Sequence, residues 1–244
     1  MMRKMLRRFG RIVFKNSSRI YLDRFNRAFA AEITPDMYVL DAGAGIAQYR
    51  NIFNHAHYET ADFEQVDKEY TPSTYVCDLA TIPVENERFD RVVCNQVLEH
   101  LSEPLIVLKE LNRVLKPEGR MILSTPLYYE EHEQPYDFYR YTQFAHRFLF
   151  QKAGFEIESI DWLEGYFGTM AYQFRGMAMA CPLRPTAERP VVSTLLLPVL
   201  LVVKVSAILL SALFYRLDLV WKVTDRGYPK NYVVVARKNG EPPR

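Results

Sequence analysis

The chain has 244 residues, 49% apolar and 25% charged, the composition of a folded globular protein. Its three cysteines, Cys77, Cys94 and Cys181, lack C-x-x-C spacing, which argues against a thiolate metal site or a disulfide framework and fits a reducing compartment. The net charge is only +2, but residues 1–27 carry nine basic side chains and one acid, leaving the remainder at about −6. Such asymmetry points to an anionic partner or surface at the N-terminus. No continuous apolar stretch of a secretory signal is present there. The Arg-rich, acid-poor start leaves a mitochondrial presequence open beside a cytoplasmic location.

Residues 2–16 suit a helix, with Met2, Met5, Leu6, Phe9, Ile12 and Val13 on one side. Arg3, Lys4, Arg7, Arg8, Arg11 and Lys15 fall on the other. Residues 37–125 alternate strand-like and helix-like segments, as βαβ units do. The expected strands are Tyr38–Asp41, Tyr58–Asp62, Tyr75–Cys77, Arg91–Asn95 and Arg120–Ser124. Between the last two, Pro104–Leu115 has apolar residues at helical spacing and ends at Lys116-Pro117-Glu118-Gly119, a stop followed by a turn. Residues 126–150, rich in Tyr, Phe, His and charge, read as a long loop plus a helix carrying the acceptor side of a site. Gly154 then leads into a strand at Phe155–Asp161, and Tyr232–Ala236 forms the last one. Between these two lies Val191–Phe214, an apolar run interrupted only by Ser193, Thr194, Pro198, Lys204, Ser206 and Ser211.

Val39-Leu40-Asp41-Ala42-Gly43-Ala44-Gly45 ends a short buried strand in a glycine turn, where backbone can approach a ligand closely. Gln48 stands where a dinucleotide fingerprint places its third glycine or an alanine, so that match is incomplete. Asp62, 21 residues beyond Asp41, ends the second strand, where a carboxylate accepts hydrogen bonds from ribose hydroxyls. Cys77-Asp78-Leu79 follows the third strand, where a carboxylate can take the exocyclic amine of adenine. Phe89-Asp90-Arg91-Val92-Val93-Cys94-Asn95 and Val97-Leu98-Glu99-His100-Leu101 follow, then Leu108-Lys109-Glu110-Leu111 and Arg113-Val114-Leu115-Lys116-Pro117-Glu118-Gly119-Arg120.

In this order the segments resemble the class I S-adenosylmethionine-dependent methyltransferases, over roughly residues 37–161 and the last strand. The resemblance implies an α/β, Rossmann-like, doubly wound and mostly parallel seven-stranded sheet with its last strand antiparallel, plus an apolar helical insert before that strand. The implied organisation is a basic amphipathic helical region over 1–30 and a methyltransferase domain over 31–244, with the insert at 187–224. S-adenosylmethionine is the implied cofactor. Asp41, Gly43 and Gly45 would frame its methionine portion, Asp62 its ribose, Asp78 and Leu79 its adenine, and Asn95 would line the site near the methionine end. At sequence level Asp78 also suits a surface loop acid, and Asn95 a cap for the next helix.

Transfer of a methyl from a sulfonium is an in-line displacement, so alignment supplies much of the acceleration. A base is needed only where an acceptor hydroxyl must lose its proton, and His100 and His132 are the candidates. His100 equally suits a structural histidine at a helix start, and His132 a solvated aromatic loop. His132-Glu133-Gln134-Pro135-Tyr136-Asp137-Phe138-Tyr139-Arg140-Tyr141 is similar to the acceptor loop of family members that modify sugars or lipid-linked molecules. Glu99 beside His100 is a single pair without further ligands, so no metal is expected.

The insert is long enough to cross a bilayer. A single crossing would separate the strands on either side of it, so a helical hairpin or in-plane helix is expected, with Pro198 breaking the run. Lys204, Ser211, Tyr215, Asp218 and Lys222 form its polar stripe. The alternative to membrane-surface attachment is an oligomer interface or an extra core layer. The expected function is methylation of a small acceptor, lipidic or lipid-linked and including glycans, by a cytoplasmic, membrane-associated enzyme. The alternatives are a soluble small-molecule methyltransferase dimerising through the insert, and an inactive cofactor-binding scaffold. Nucleic acid is not an expected partner, because the basic residues share a helix with an apolar face. Asn95-Gln96-Val97-Leu98 also stands where nucleic-acid enzymes carry an Asn-Pro-Pro-Tyr-like tetrad.

Overall fold

Strands buried on both sides read as near-continuous apolar runs. In β1 (Tyr38–Ala42) Val39 and Leu40 are fully buried, as are Phe89, Val92, Val93 and Cys94 in β4 (Phe89–Asn95). A computed structural model describes residues 17–66 and 69–239. The expected basic helix at 2–16 lies outside the described residues. The described residues divide into two compact units, one of 22–163 with 231–239, the other of 164–230 with 17–21. Helix α1 (Ser17–Ala30) contributes residues to both.

The first unit holds the sheet. β2 (His57–Asp62), β3 (Tyr75–Val76), β5 (Leu115–Pro126), β6 (Phe155–Trp162) and β7 (Asn231–Lys238) join β1 and β4 in the order β3-β2-β1-β4-β5-β7-β6. β7 runs antiparallel to β5 and β6, and the pairs on the other side of β5 are parallel. This is the mostly parallel seven-stranded sheet with its last strand antiparallel that the sequence predicts. The chain winds from β1 outward through β2 to β3, then returns to place β4 on the other side of β1. Ligands of open α/β sheets bind in the crevice beyond the carboxyl ends of the strands at such a reversal.

Helix α2 (Arg50–Phe53) is a single turn, and α3 (Pro104–Val114) starts on a proline, whose missing N–H costs nothing at that position. Val107, Leu108, Leu111 and Val114 form its buried stripe. The turn expected at Lys116–Gly119 is instead an irregularity inside β5. The β4–β5 register jumps from Phe89 opposite Leu115 to Arg91 opposite Arg120, and Glu118 takes a φ of 62°. The extra residues bulge out of the ladder and the strand resumes. Helix α4 (Gln143–Lys152) is capped by the Thr142 side chain, which accepts the Ala145 N–H.

α4 buries His146 completely, its Nε2 2.9 Å from Thr125 Oγ1, and burial pushes the imidazole down to about 4. An unfolded histidine titrates near 6.5, so between about pH 6.5 and 4 the unfolded chain takes up a proton that the folded one refuses. Stability therefore falls as pH drops through this window, by about 2 kcal/mol at pH 5. Urea titrations at pH 7 and pH 5 should show this loss in the wild type, and His146→Gln should flatten it. An unchanged slope in that variant would exclude His146 as its source.

The second unit contains a helix that the sequence did not reveal, α5 (Tyr166–Ala180), packed antiparallel against α6 (Pro190–Val220). Ser211 Oγ donates to Ala171 O, Lys204 Nζ to Ala178 O, and Phe214 lies within 5.5 Å of Phe167 and 5.2 Å of Phe174 between ring centres. Gly168 faces Asp218, and a Cβ on it would sit 2.5 Å from Asp218 Oδ2. Tyr21 donates to the backbone carbonyl of Asp218. The hairpin expected within the insert is not found: the insert is the single helix α6, and its antiparallel partner α5 precedes it. Pro198 does not break the run, since α6 is continuous through it. The polar stripe also corrects expectation: Ser211 and Asp218 are buried, and Lys204 is turned to the end of α5. The outward face is apolar, with Leu195 73%, Val202 65% and Leu209 65% exposed. By length and composition α6 is sufficient to cross a membrane.

Candidate active site

β1 leads into the glycine turn. Gly43 N donates to Ala61 O of β2, and its φ of 77° is one that only glycine adopts readily. A Cβ there would lie 2.3 Å from a methyl of Val97. Asp41 is buried beneath the turn and accepts a short hydrogen bond from Tyr58. Burial pushes its carboxyl up to about 6, against the opposing pull of that bond. At the end of β2, Asp62 accepts the Gly45 N–H at 2.8 Å and the Glu64 N–H at 3.0 Å. A carboxylate offers about four lone-pair directions, so two remain for hydroxyl donors. After β3, Asp78 accepts the Ala80 N–H and Leu79 is buried beside it.

A cavity of about 350 Å³ opens here, within the range of about 300–1,000 Å³ common for small-molecule sites. The turns after β1, β2 and β3 supply Gly43, Asp62, Phe63, Asp78 and Leu79 to its wall. The segment after β4 supplies Gln96, Val97 and His100, and the loop before α4 supplies Glu133, Tyr136 and Phe138. Five of the residues expected from sequence therefore share one cavity: Gly43, Asp62, Asp78, Leu79 and His100. Asp41 and Gly45 brace the turn without joining the wall. Asn95 is a correction. Its amide donates to Asn26 and accepts from Ser124, while the next residues turn into the cavity because Gln96 takes a φ of 58°. The wall residues missed from sequence are mainly Phe63, Tyr70, Val97 and Ile106, contributed by turns and helix starts.

The loop 127–141 is tied to the turn that carries His100. Glu99 O accepts the N–H groups of Phe138 and Tyr139, and Tyr141 donates to Leu98 O. His100 Nδ1 lies 2.6 Å from Tyr136 O. A carbonyl can only accept, so Nδ1 carries the proton and Nε2 holds the lone pair. Burial lowers the His100 pKa, which keeps the ring neutral and able to accept a proton. His132 packs edge-on against it at 4.7 Å between ring centres. Its neighbour Asp137 is paired with Arg140 at 2.6 Å, which holds that carboxyl well below the usual range. Glu99 is fully buried, and burial pushes its carboxyl up to about 8.

Residues 13–160 match the family described as Methyltransferase domain. The chain belongs to this family, the class I S-adenosylmethionine-dependent methyltransferases. The methyltransferase YodH of Bacillus subtilis (strain 168), itself described as uncharacterized, is 30% identical over 126 residues, 45% of this chain and 54% of that relative. The chain thus spans about half the length of that relative. Among solved structures, the 1,6-didemethyltoxoflavin-N1-methyltransferase of Burkholderia thailandensis, with 1,6-didemethyltoxoflavin and S-adenosylhomocysteine bound, is similar at a TM-score of 0.51 and 14% identity. It aligns over 91% of this chain and 78% of that one. The (4+2)-cyclase SpnF is similar at a TM-score of 0.54 and 18% identity, over 89% and 81% of the two chains. These structural likenesses establish the fold, and the cyclase illustrates that the fold alone does not name a reaction. The cofactor of this methyltransferase family fits the cavity on two counts. Gly43 lines it with bare backbone, where a Cβ would run into Val97 of the same wall, and Asp62 keeps lone pairs for a ribose.

Proposed function

We propose that this methyltransferase domain methylates a small acceptor, lipidic or lipid-linked and including glycans, from a cytoplasmic membrane surface. The observation that carries the chemistry is the single cavity joining Gly43, Asp62 and Asp78 to a neutral His100. S-adenosylmethionine, when bound, supplies a methyl activated by the sulfonium. Asp62 would hold the ribose hydroxyls through charge-assisted hydrogen bonds, and Asp78 with Leu79 the adenine. The Nε2 lone pair of His100 would receive the proton of a hydroxyl acceptor, with Tyr136 O fixing the tautomer. His132 would steady that ring from its edge. Calorimetry with S-adenosylhomocysteine tests the assignment, and preferential binding of NAD would overturn it.

The lipidic acceptor rests on the inverted helix α6, polar toward α5 and apolar outward. The intact protein should sediment with anionic vesicles. Leu195→Glu with Val202→Glu should release it, both residues being exposed, without altering affinity for S-adenosylhomocysteine. A soluble dimer indifferent to vesicles would make α6 a subunit interface and remove this support for a lipidic acceptor.

A further inference from the structure

Glu99 is the least comfortable polar group near the cavity. It lies in a single helical turn, Leu98–His100, with its side chain 0% exposed and neither carboxylate oxygen hydrogen-bonded among the described residues. A buried carboxyl without a hydrogen-bond partner is disfavoured even when protonated, and calls for a group that meets it. Arg140, the cation of the adjoining loop, is committed to both oxygens of Asp137 and to the carbonyls of Tyr129, Glu130 and Tyr139. What does face Glu99 is imidazole. His100 Nε2 is 3.8 Å from its Oε1, and one ligand atom from each of Glu99, His100 and His132 lies within 4.8 Å of the others.

Both rings are oriented as ligands. His100 Nδ1 is fixed on Tyr136 O. His132 Nδ1 lies 3.2 Å from Glu130 O and 3.3 Å from Asp137 Oδ2, and Asp137 also accepts the His132 backbone N–H. In each ring Nδ1 is therefore the protonated nitrogen, which leaves an Nε2 lone pair. A histidine held by a carbonyl or carboxylate through its second nitrogen is the usual arrangement behind a metal ligand. The sequence offered only Glu99-His100; the loop ties from Glu99 O to Phe138 and Tyr139 bring in the third group.

From this geometry we infer that Glu99, His100 and His132 form a binding site for a divalent transition-metal ion, with one carboxylate oxygen and two imidazole nitrogens as ligands. Two nitrogens and one oxygen match ions of the zinc, cobalt and manganese type better than calcium or magnesium, which prefer all-oxygen sites. Bonds of about 2.0–2.2 Å require the three groups to draw closer, and His132, on a loop, can move to do so. Three protein ligands leave a coordination position open. His100 lines the cavity together with Glu133 and Tyr136, so that position is available to an oxygen of the acceptor. The site goes beyond the methyl-transfer assignment; while an ion is bound, the Nε2 lone pair of His100 is a ligand, so its role as proton acceptor belongs to the metal-free protein.

The test uses the full chain, stripped with a chelator and titrated with Co²⁺ in the absence of cofactor. One equivalent should bind, with the visible absorption of low-coordinate cobalt, and Zn²⁺ should displace it. Glu99→Gln, which keeps shape but cannot ionise to meet the ion, and His132→Ala should each weaken binding roughly 10-fold or more. Circular dichroism and affinity for S-adenosylhomocysteine, measured on the same samples, should be retained. Failure to bind cobalt, or equal affinity in both variants, would overturn the site. Loss of S-adenosylhomocysteine binding by the wild type would instead overturn the methyltransferase assignment and leave the metal result standing.

Discussion

Gly43→Val should abolish binding of S-adenosylhomocysteine while leaving a folded, less stable protein. A Cβ at this position would stand 2.3 Å and 2.7 Å from the two methyls of Val97, nearer than non-bonded carbons approach. Val97 forms part of the cavity wall, so its displacement falls on the space a ligand needs. A φ of 77° adds backbone strain of about 1–3 kcal/mol for a β-branched residue. Affinity should fall by more than about 100-fold, near 3 kcal/mol. Gly45→Ala is the control: its Cβ meets nothing within 4 Å, so only the cost of a positive φ applies. Circular dichroism and calorimetry on the two variants separate folding from binding. Unchanged affinity in Gly43→Val would place the cofactor elsewhere.

Asp62→Ala should weaken S-adenosylhomocysteine by about 100-fold, or about 3 kcal/mol. Two losses combine. The carboxylate no longer receives the ribose hydroxyls, and the Gly45 and Glu64 N–H groups lose the acceptor that shapes the turn. Charge-assisted bonds of this kind contribute about twice what neutral ones do. Asp62→Asn should fall between, because its amide retains one acceptor oxygen. Equal affinity in all three proteins would mean that Asp62 only shapes the loop.

The seven strands were legible because β-branched and apolar runs such as Val39-Leu40 and Tyr232–Val235 end in turns. Helix α5 was not. Its buried residues are Gly168, Thr169, Ala171 and Ala178, small groups that let another helix approach, so no apolar stripe announces it. The polar residues of α6 had the correct period, but period cannot say which side is covered. Their covering depends on α5, 40 residues away at Ala171–Ser211. In the site, glycines and strand-end acids were readable from local rules. Asn95 was misplaced because a single positive φ at Gln96 decides which residue enters the cavity. The meeting of Glu99, His100 and His132 was hidden for a different reason, since it depends on a loop anchored through backbone carbonyls that any sequence provides.

The ladder between β6 and β7 closes on both sides of the second unit. Trp162 pairs with Tyr232, and the Leu163 N–H reaches Asn231 O at 2.9 Å. Everything from 164 to 230 thus occupies the place of a hairpin turn. Closing a longer loop adds entropy only slowly with length, so sheet pairing tolerates either a tight turn or a long excursion there. The helix pair enters the chain between β6 and β7, whereas the crevice is lined by the turns that follow β1, β2, β3 and β4, so a change of length at the one leaves the connections of the other as they are.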